Sequence, residues 1–162
     1  MRQLALLSFA LLVISLSNPA AADPVGDLRA ENLELRQALA FATMQQAQEL
    51  AQYAHTYAQE HKAFPQKPSD LRSVVEEVGL HPSRVFLAPY DAVKDPVDWP
   101  DDQERLWKLI DEHSSYVFHG GELDYDGEKL LVTEKNPIWK GHNASVFQDG
   151  HGELREAQGE AP

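Results

Sequence analysis

Between Asp27 and Phe64 apolar residues recur mostly at steps of three and four, and no proline interrupts them. They are Leu28, Leu35, Leu39 and Ala42, then Met44, Ala47, Ala51, Ala54 and Ala58, with Leu50 and Tyr57 beside them. This spacing predicts a drifting stripe along one side of a single α-helix. The residues between are mostly Ala, Leu, Glu, Gln and Arg, all good helix formers, and at about 1.5 Å each the segment would reach roughly 55 Å. That is about twice the width of a domain this small, so part of the helix must project or meet a partner. The small side chains from Ala47 to Ala58 allow another element close to the helix axis, and later strands are expected there. Leu28, Leu35 and Leu39 are then left without cover, a candidate interface for a protein partner or for self-association. A strict coiled-coil heptad is not kept, because Gln46 and Glu49 fall where apolar residues are wanted.

Met1 to Ala22 reads as an export signal: Arg2, an apolar run from Leu4 to Leu16, and small residues Ala20 to Ala22 at the cleavage point. The run is short for a bilayer span, so cleavage is expected and no stable membrane insertion thereafter; a retained N-terminal anchor is the alternative. With no cysteine in the chain, disulfides and a lipidated N-terminus are excluded and the core alone must hold the fold. The 26 acidic residues against 14 basic ones give a surface that repels nucleic acid and anionic lipid and suits cations or basic partners. The remaining length fits one domain. The expected organisation is a signal over 1–22, an exposed helix half over 23–46, an α+β domain over 47–156 and a frayed tail over 157–162.

Phe64-Pro65 is expected to end the helix. Ser69 is placed to cap a second helix through about Val78, with Gly79 as its C-terminal breaker. From His81 to Pro100 four prolines break every pattern, which predicts a loop. Asp101 and Glu104 have capping-box spacing before a short helix that ends near Glu112. After it the period becomes two. Ser115 to His119 is a candidate strand, and Asp126-Gly127 and Asp149-Gly150 are both type I′ hairpin signals. The first hairpin would set Leu123 against Leu130 and Asp124 against Lys129. The second would set Phe147 against Gly152 and Ser145 against Leu154, with Phe147 and Leu154 on the core side. The fold class is therefore α+β, a long N-terminal helix packed on a small antiparallel sheet.

Chemistry is sparse in this pattern. There is no nucleophile elbow, no glycine-rich phosphate loop and no His-Glu-x-x-His pair. Asp124, Asp126 and Glu128 alternate around a glycine turn and could converge oxygens on Ca²⁺, although an ordinary hairpin decorated with surface acids explains the same letters. His142 and Asp149 lie at opposite ends of one strand, roughly 20 Å apart if extended, which favours structural roles: Asp149-Gly150 for the turn and His142 as a fastening for the incoming loop.

The segment from His142 through Phe147, Asp149, Gly150 and His151 to Leu154 resembles the C-terminal signature of pseudopilin-like proteins, whose H-X9-DG domain is named for a histidine followed at an interval by Asp-Gly. Phe64-Pro65 after Tyr57 looks like that family's helix end, and Ser114-Ser115-Tyr116-Val117 like its first strand. The likeness covers most of residues 47–156. It implies a pilin-like fold and a subunit linked to type II secretion or a type IV pilus-like system. Met1 to Ala22 contains no pilin processing site, and the interval between His142 and Asp149 is shorter than the family's. The expected function is an exported, non-enzymatic pseudopilin-like protein acting through protein contacts. The alternatives are a cation- or ligand-binding periplasmic module and, behind it, a small hydrolase with a His and Asp site. No cofactor is expected apart from the Ca²⁺ alternative.

Overall fold

A computed structural model describes residues 24–94, 98–123, 125, 127–136 and 141–156, with the backbone alone over 24–31 and 92–94. The expected signal segment, the tail over 157–162, and Asp124 and Asp126 lie outside the described residues. The architecture is α+β: one long helix, α1 (Pro24–His61), lies against a small antiparallel sheet, and short helices close the remaining side of the core. Among the described residues no helix is long and apolar enough to cross a membrane.

The alanine-rich half of α1 is where the chain packs on itself. Ala47, Leu50, Ala54 and Ala58 have no exposed surface, because side chains this small bring the sheet close to the helix axis. Cover also reaches back to Ala40 and Thr43, 7% and 1% exposed. The helix closes before the proline: Lys62 takes a left-handed conformation, φ 60°, and its N–H donates to the Ala58 carbonyl at 2.9 Å. The next two residues, Ala63–Phe64, form β1.

After a 3-10 turn, Pro68–Leu71, α2 (Arg72–Val78) ends on Gly79 at φ 74°, as its sequence implies. Ser69 does not cap it. Its N–H and its hydroxyl both donate to the Asp111 carboxylate, at 2.8 and 2.7 Å, which ties this turn to α5 (Gln103–His113).

The expected loop from His81 to Pro100 instead contains two short helices, α3 (Pro82–Phe86) and α4 (Pro89–Lys94). Each opens on its proline, whose fixed φ and missing N–H suit a first helical turn, so residues that read as breakers are starters here. The cap of α5 is Asp102, whose carboxylate accepts from Arg105 N at 2.8 Å, rather than Asp101.

The main sheet has the order β2-β4-β5-β6, formed by β2 (Tyr116–Phe118), β4 (Leu130–Glu134), β5 (His142–Phe147) and β6 (Gly152–Glu156). Among the described residues the strand pairing expected around Asp126-Gly127 does not occur. Leu123 and Lys129 belong to no strand; β4 pairs with β2 instead, Tyr116 opposite Glu134 and Phe118 opposite Val132. The chain between them leaves the sheet so that β3 (Gly121–Glu122) can pair with β1, Phe64 opposite Gly121. The cause lies at Gly120: a Cβ there would meet Pro65 O at 2.8 Å and Phe64 O at 3.0 Å, so the glycine pair admits the helix-end segment rather than a tight turn.

The second hairpin forms with its register moved by one residue. Val146 faces Gly152 and Ala144 faces Leu154, because the turn has three residues, not two. Phe147 N donates to His151 O and Gly150 N to Phe147 O, both at 2.9 Å, and Gly150 alone takes positive φ, 92°. This is a type I turn closed by a left-handed glycine, the next most favoured hairpin connection. The slip puts Phe147 and Leu154 on opposite faces. Phe147 is 5% exposed and Leu154 43%.

Candidate functional site

The Asp149-Gly150 turn gathers four of the seven family-motif residues, Phe147, Asp149, Gly150 and His151. Asp149 Oδ1 accepts from the His151 backbone N–H at 3.0 Å and lies 2.5 Å from His151 Nδ1. These bonds, the backbone one first, hold the Asp149 carboxyl below its ordinary range. The imidazole lies flat on Phe147, with ring centroids 4.2 Å apart and planes 6° apart, and the Arg155 guanidinium stands 5.6 Å from the same ring. A Cβ on Gly127 would meet Asp149 Oδ2 at 2.9 Å, so the turn around Gly127 rests against the Asp149 turn. An imidazole oriented by a carboxylate is the starting point of general base catalysis. Here each partner is committed to shaping the hairpin, since Asp149 binds the backbone two residues on and His151 covers Phe147.

The other family-motif positions are separate. His142 opens β5 opposite Glu156, and the strand keeps it apart from Asp149. Phe64 is 2% exposed and packs edge-on against His55, 5.2 Å between centroids; Pro65 is also buried. Burial lowers the pKa of His55, while Asp149 acts in the opposite direction. Of the calcium candidates, Asp124 and Asp126 are outside the described residues and Glu128 is exposed. Among the described residues no three metal-ligating side chains come together.

The helix candidates divide. Leu35 is 58% exposed, with Leu33 and Phe41 exposed beside it. Leu39 is half-buried, and the Leu28 side chain lies outside the described residues. Beside Phe41 a hollow of about 250 Å³ is lined by Gln37, Ala40, Phe41, Met44 and Leu154.

A second hollow, about 680 Å³, lies on the face of the sheet turned away from α1, where Thr133, Ser145 and Glu153 stand in a row with His119, Asn143 and Arg155 around them. His119 Nε2 is 3.0 Å from Thr133 Oγ1, and burial lowers the histidine pKa. Glu153 and Arg155 pair at 3.3 Å. This surface offers hydroxyl, amide, imidazole and one ion pair, which suits hydrogen bonding to a polar ligand.

Two residues with a large structural part carry little sequence signal. Gln46 Nε2 donates to the carbonyls of Arg84, Val85 and Leu87, at 2.9, 2.9 and 3.0 Å, and its Oε1 accepts from Tyr116 OH at 3.1 Å. Glu134 is 3% exposed. Its Oε2 accepts from Ala144 N at 3.0 Å, and burial, with Asp91 adding to it, pushes its pKa up to about 7. The one signal for Glu134 is the parity of β4, which extends a residue past the alternation around Val132 and so sets Glu134 on the same inward face. In comparisons with known protein families, with curated proteins and with solved structures, the chain matches none of them.

Proposed function

We propose that this chain is an exported, non-enzymatic protein of pseudopilin-like type that works by contact, with the first half of α1 as the surface it offers. One observation carries the reading. The helix runs 38 residues, yet residues 32–38 are exposed throughout, and Leu33 and Leu35 stand in water at 47% and 58% exposure. Burying a leucine fully is worth about 1.5–3 kcal/mol, so such a stripe is a standing incentive to pair. A long N-terminal helix carrying a small antiparallel sheet is also the arrangement that the resemblance implies. Export rests on Met1 to Ala22, and the mature protein is expected to begin at Asp23, which intact mass decides. A photo-crosslinking residue at position 35, used in the cells of origin, should give adducts with one protein, while the same residue at exposed Glu77 should give none. Equal labelling at both positions would sink the reading.

A second reading, a module that binds a small polar ligand, rests on the hollow around Thr133 and Ser145. Calorimetric titration of polar ligands against the protein and Thr133→Val tests it; heat that Thr133→Val leaves unchanged would count against it.

A further inference from the structure

β6 is the last strand of the sheet order β2-β4-β5-β6, and Glu153, Leu154, Arg155 and Glu156 are all exposed. Phe147 N donates to His151 O, and hydrogen-bonded and non-bonded pairs alternate along an antiparallel ladder. Glu153 opposite Ser145 and Arg155 opposite Asn143 are therefore the next bonded pairs, which leaves the N–H and C=O groups of Gly152, Leu154 and Glu156 pointing out of the sheet. An edge of this kind is a template for another strand.

Its side chains specify which strand. Leu154 lies on the α1 side opposite Ala144, 43% exposed, and lines the apolar hollow with Phe41 and Met44. Glu153 and Arg155 lie on the outer face. An antiparallel copy of the same strand, with Leu154 on the two-fold axis, puts Leu154 against Leu154 and Gly152 against Glu156, so outward-pointing groups meet their like. Glu153 then faces Arg155 twice, at the non-bonded positions where side chains approach closest. Moving the register by two residues either way brings Glu153 against Glu153 or Arg155 against Arg155, so the charges select the register centred on Leu154.

We propose that β6 is the seam of a symmetric dimer in which two copies of this chain join edge to edge into one antiparallel sheet centred on Leu154. The two-fold axis stands perpendicular to the sheet. Both α1 helices then lie on the same face, and the Phe41–Leu154 side of each copy is turned toward the other. This inference stands on β6 and is independent of the role proposed for the first turns of α1.

Sedimentation velocity of the full protein across a concentration series should show monomer and dimer in exchange. Glu153→Arg and Arg155→Glu should each weaken the dimer about tenfold or more, since like charges then meet twice across the seam. Mixed in equal amounts, the two variants should recover a heterodimer, because each supplies the charge that the other lacks. Loss of the pair within one chain cannot account for that recovery, since mixing does not rebuild it. In the wild-type dimer the Leu154 amide should also gain protection from hydrogen exchange. A wild-type chain that is monomeric throughout, single variants that dimerise as wild type does, a mixture that stays monomeric, or a Leu154 amide that exchanges alike in monomer and dimer would each overturn the proposal.

Discussion

Glu134 is a buried carboxyl in surroundings that disfavour its charge. Its folded pKa stands at about 7 against an ordinary 4.5, so between those values the folded chain holds a proton that the unfolded chain has released. Stability should therefore fall as pH rises from about 4.5 through about 7 and level off above, by as much as roughly 3 kcal/mol, since each pKa unit is about 1.4 kcal/mol. Glu134→Gln keeps an acceptor for Ala144 N and removes the titration. Urea melts across that window should show a flatter profile for the variant, and parallel profiles would mean that the carboxyl ionises freely in the fold. Gly150 is a second residue with a single dominant constraint, its φ of 92°. A Cβ there would meet nothing within 4 Å, so the cost of Gly150→Val is backbone strain, roughly 1–3 kcal/mol. His151→Ala removes a ring stack and a bond at an exposed site and should cost less. The ranking was readable from Asp-Gly in the sequence, although the reason has changed: one left-handed residue in a three-residue turn, not two in a tighter one. Equal melts for the two variants would place the strain elsewhere.

The elements legible in the sequence are those set by local pattern, and the illegible features are choices between partners. The 3.6-residue period of α1 and the alternation of Tyr116 and Phe118 report on one segment at a time, so both could be read directly. Strand pairing depends on what competes for an edge: Asp126-Gly127 is a good hairpin signal, yet β4 pairs with β2 because the chain after Gly120 is claimed by Ala63 and Phe64. The helices at Pro82 and Pro89 were hidden because proline reads as a breaker unless the position of the helix start is already known. Gln46 shows the same dependence on context. On the helix stripe it looks like a polar interruption, but its amide shares its two hydrogens among three carbonyls at the end of α3. Gln46→Ala should cost about 1–3 kcal/mol through acceptors left short of donors. Gln46→Glu should cost more, because a carboxylate cannot donate and would face those oxygens with its own charge. Thermal melts of the pair decide the order, and a Glu variant as stable as the Ala one would mean that water serves the α3 carbonyls instead.

At the scale of the whole molecule the protein is a covered half-helix continued by a bare one. From Ala40 to Ala58 the stripe on α1 packs against the sheets and the short helices, whereas residues 32–38 are exposed, Leu33 and Leu35 at 47% and 58%. This division was legible in the sequence from helix length against domain size. The side of the sheet on which Phe147 falls was not: expected on the core side with Leu154, it lies on the outer face with Ser145, since the side turns on a one-residue difference in the hairpin. The physical consequence is a gradient of stability along one helix. Isolated helical turns of this length are marginal in water, so amides before Ala38 should exchange with solvent by local fraying, while those from Ala47 to Ala58 should require opening of the core. Hydrogen exchange on the free protein should therefore show protection rising steeply near Ala40. Leu35→Glu should leave the protected half and the melting temperature nearly unchanged, because nothing in the fold rests on that side chain. Binding of a partner to the first half should raise protection there toward the level of the second, and Leu35→Glu should abolish that rise. Uniform protection along α1 in the free monomer would mean that the first turns are already held by contacts of their own, and the leucines would then be a spacer's surface rather than a docking one.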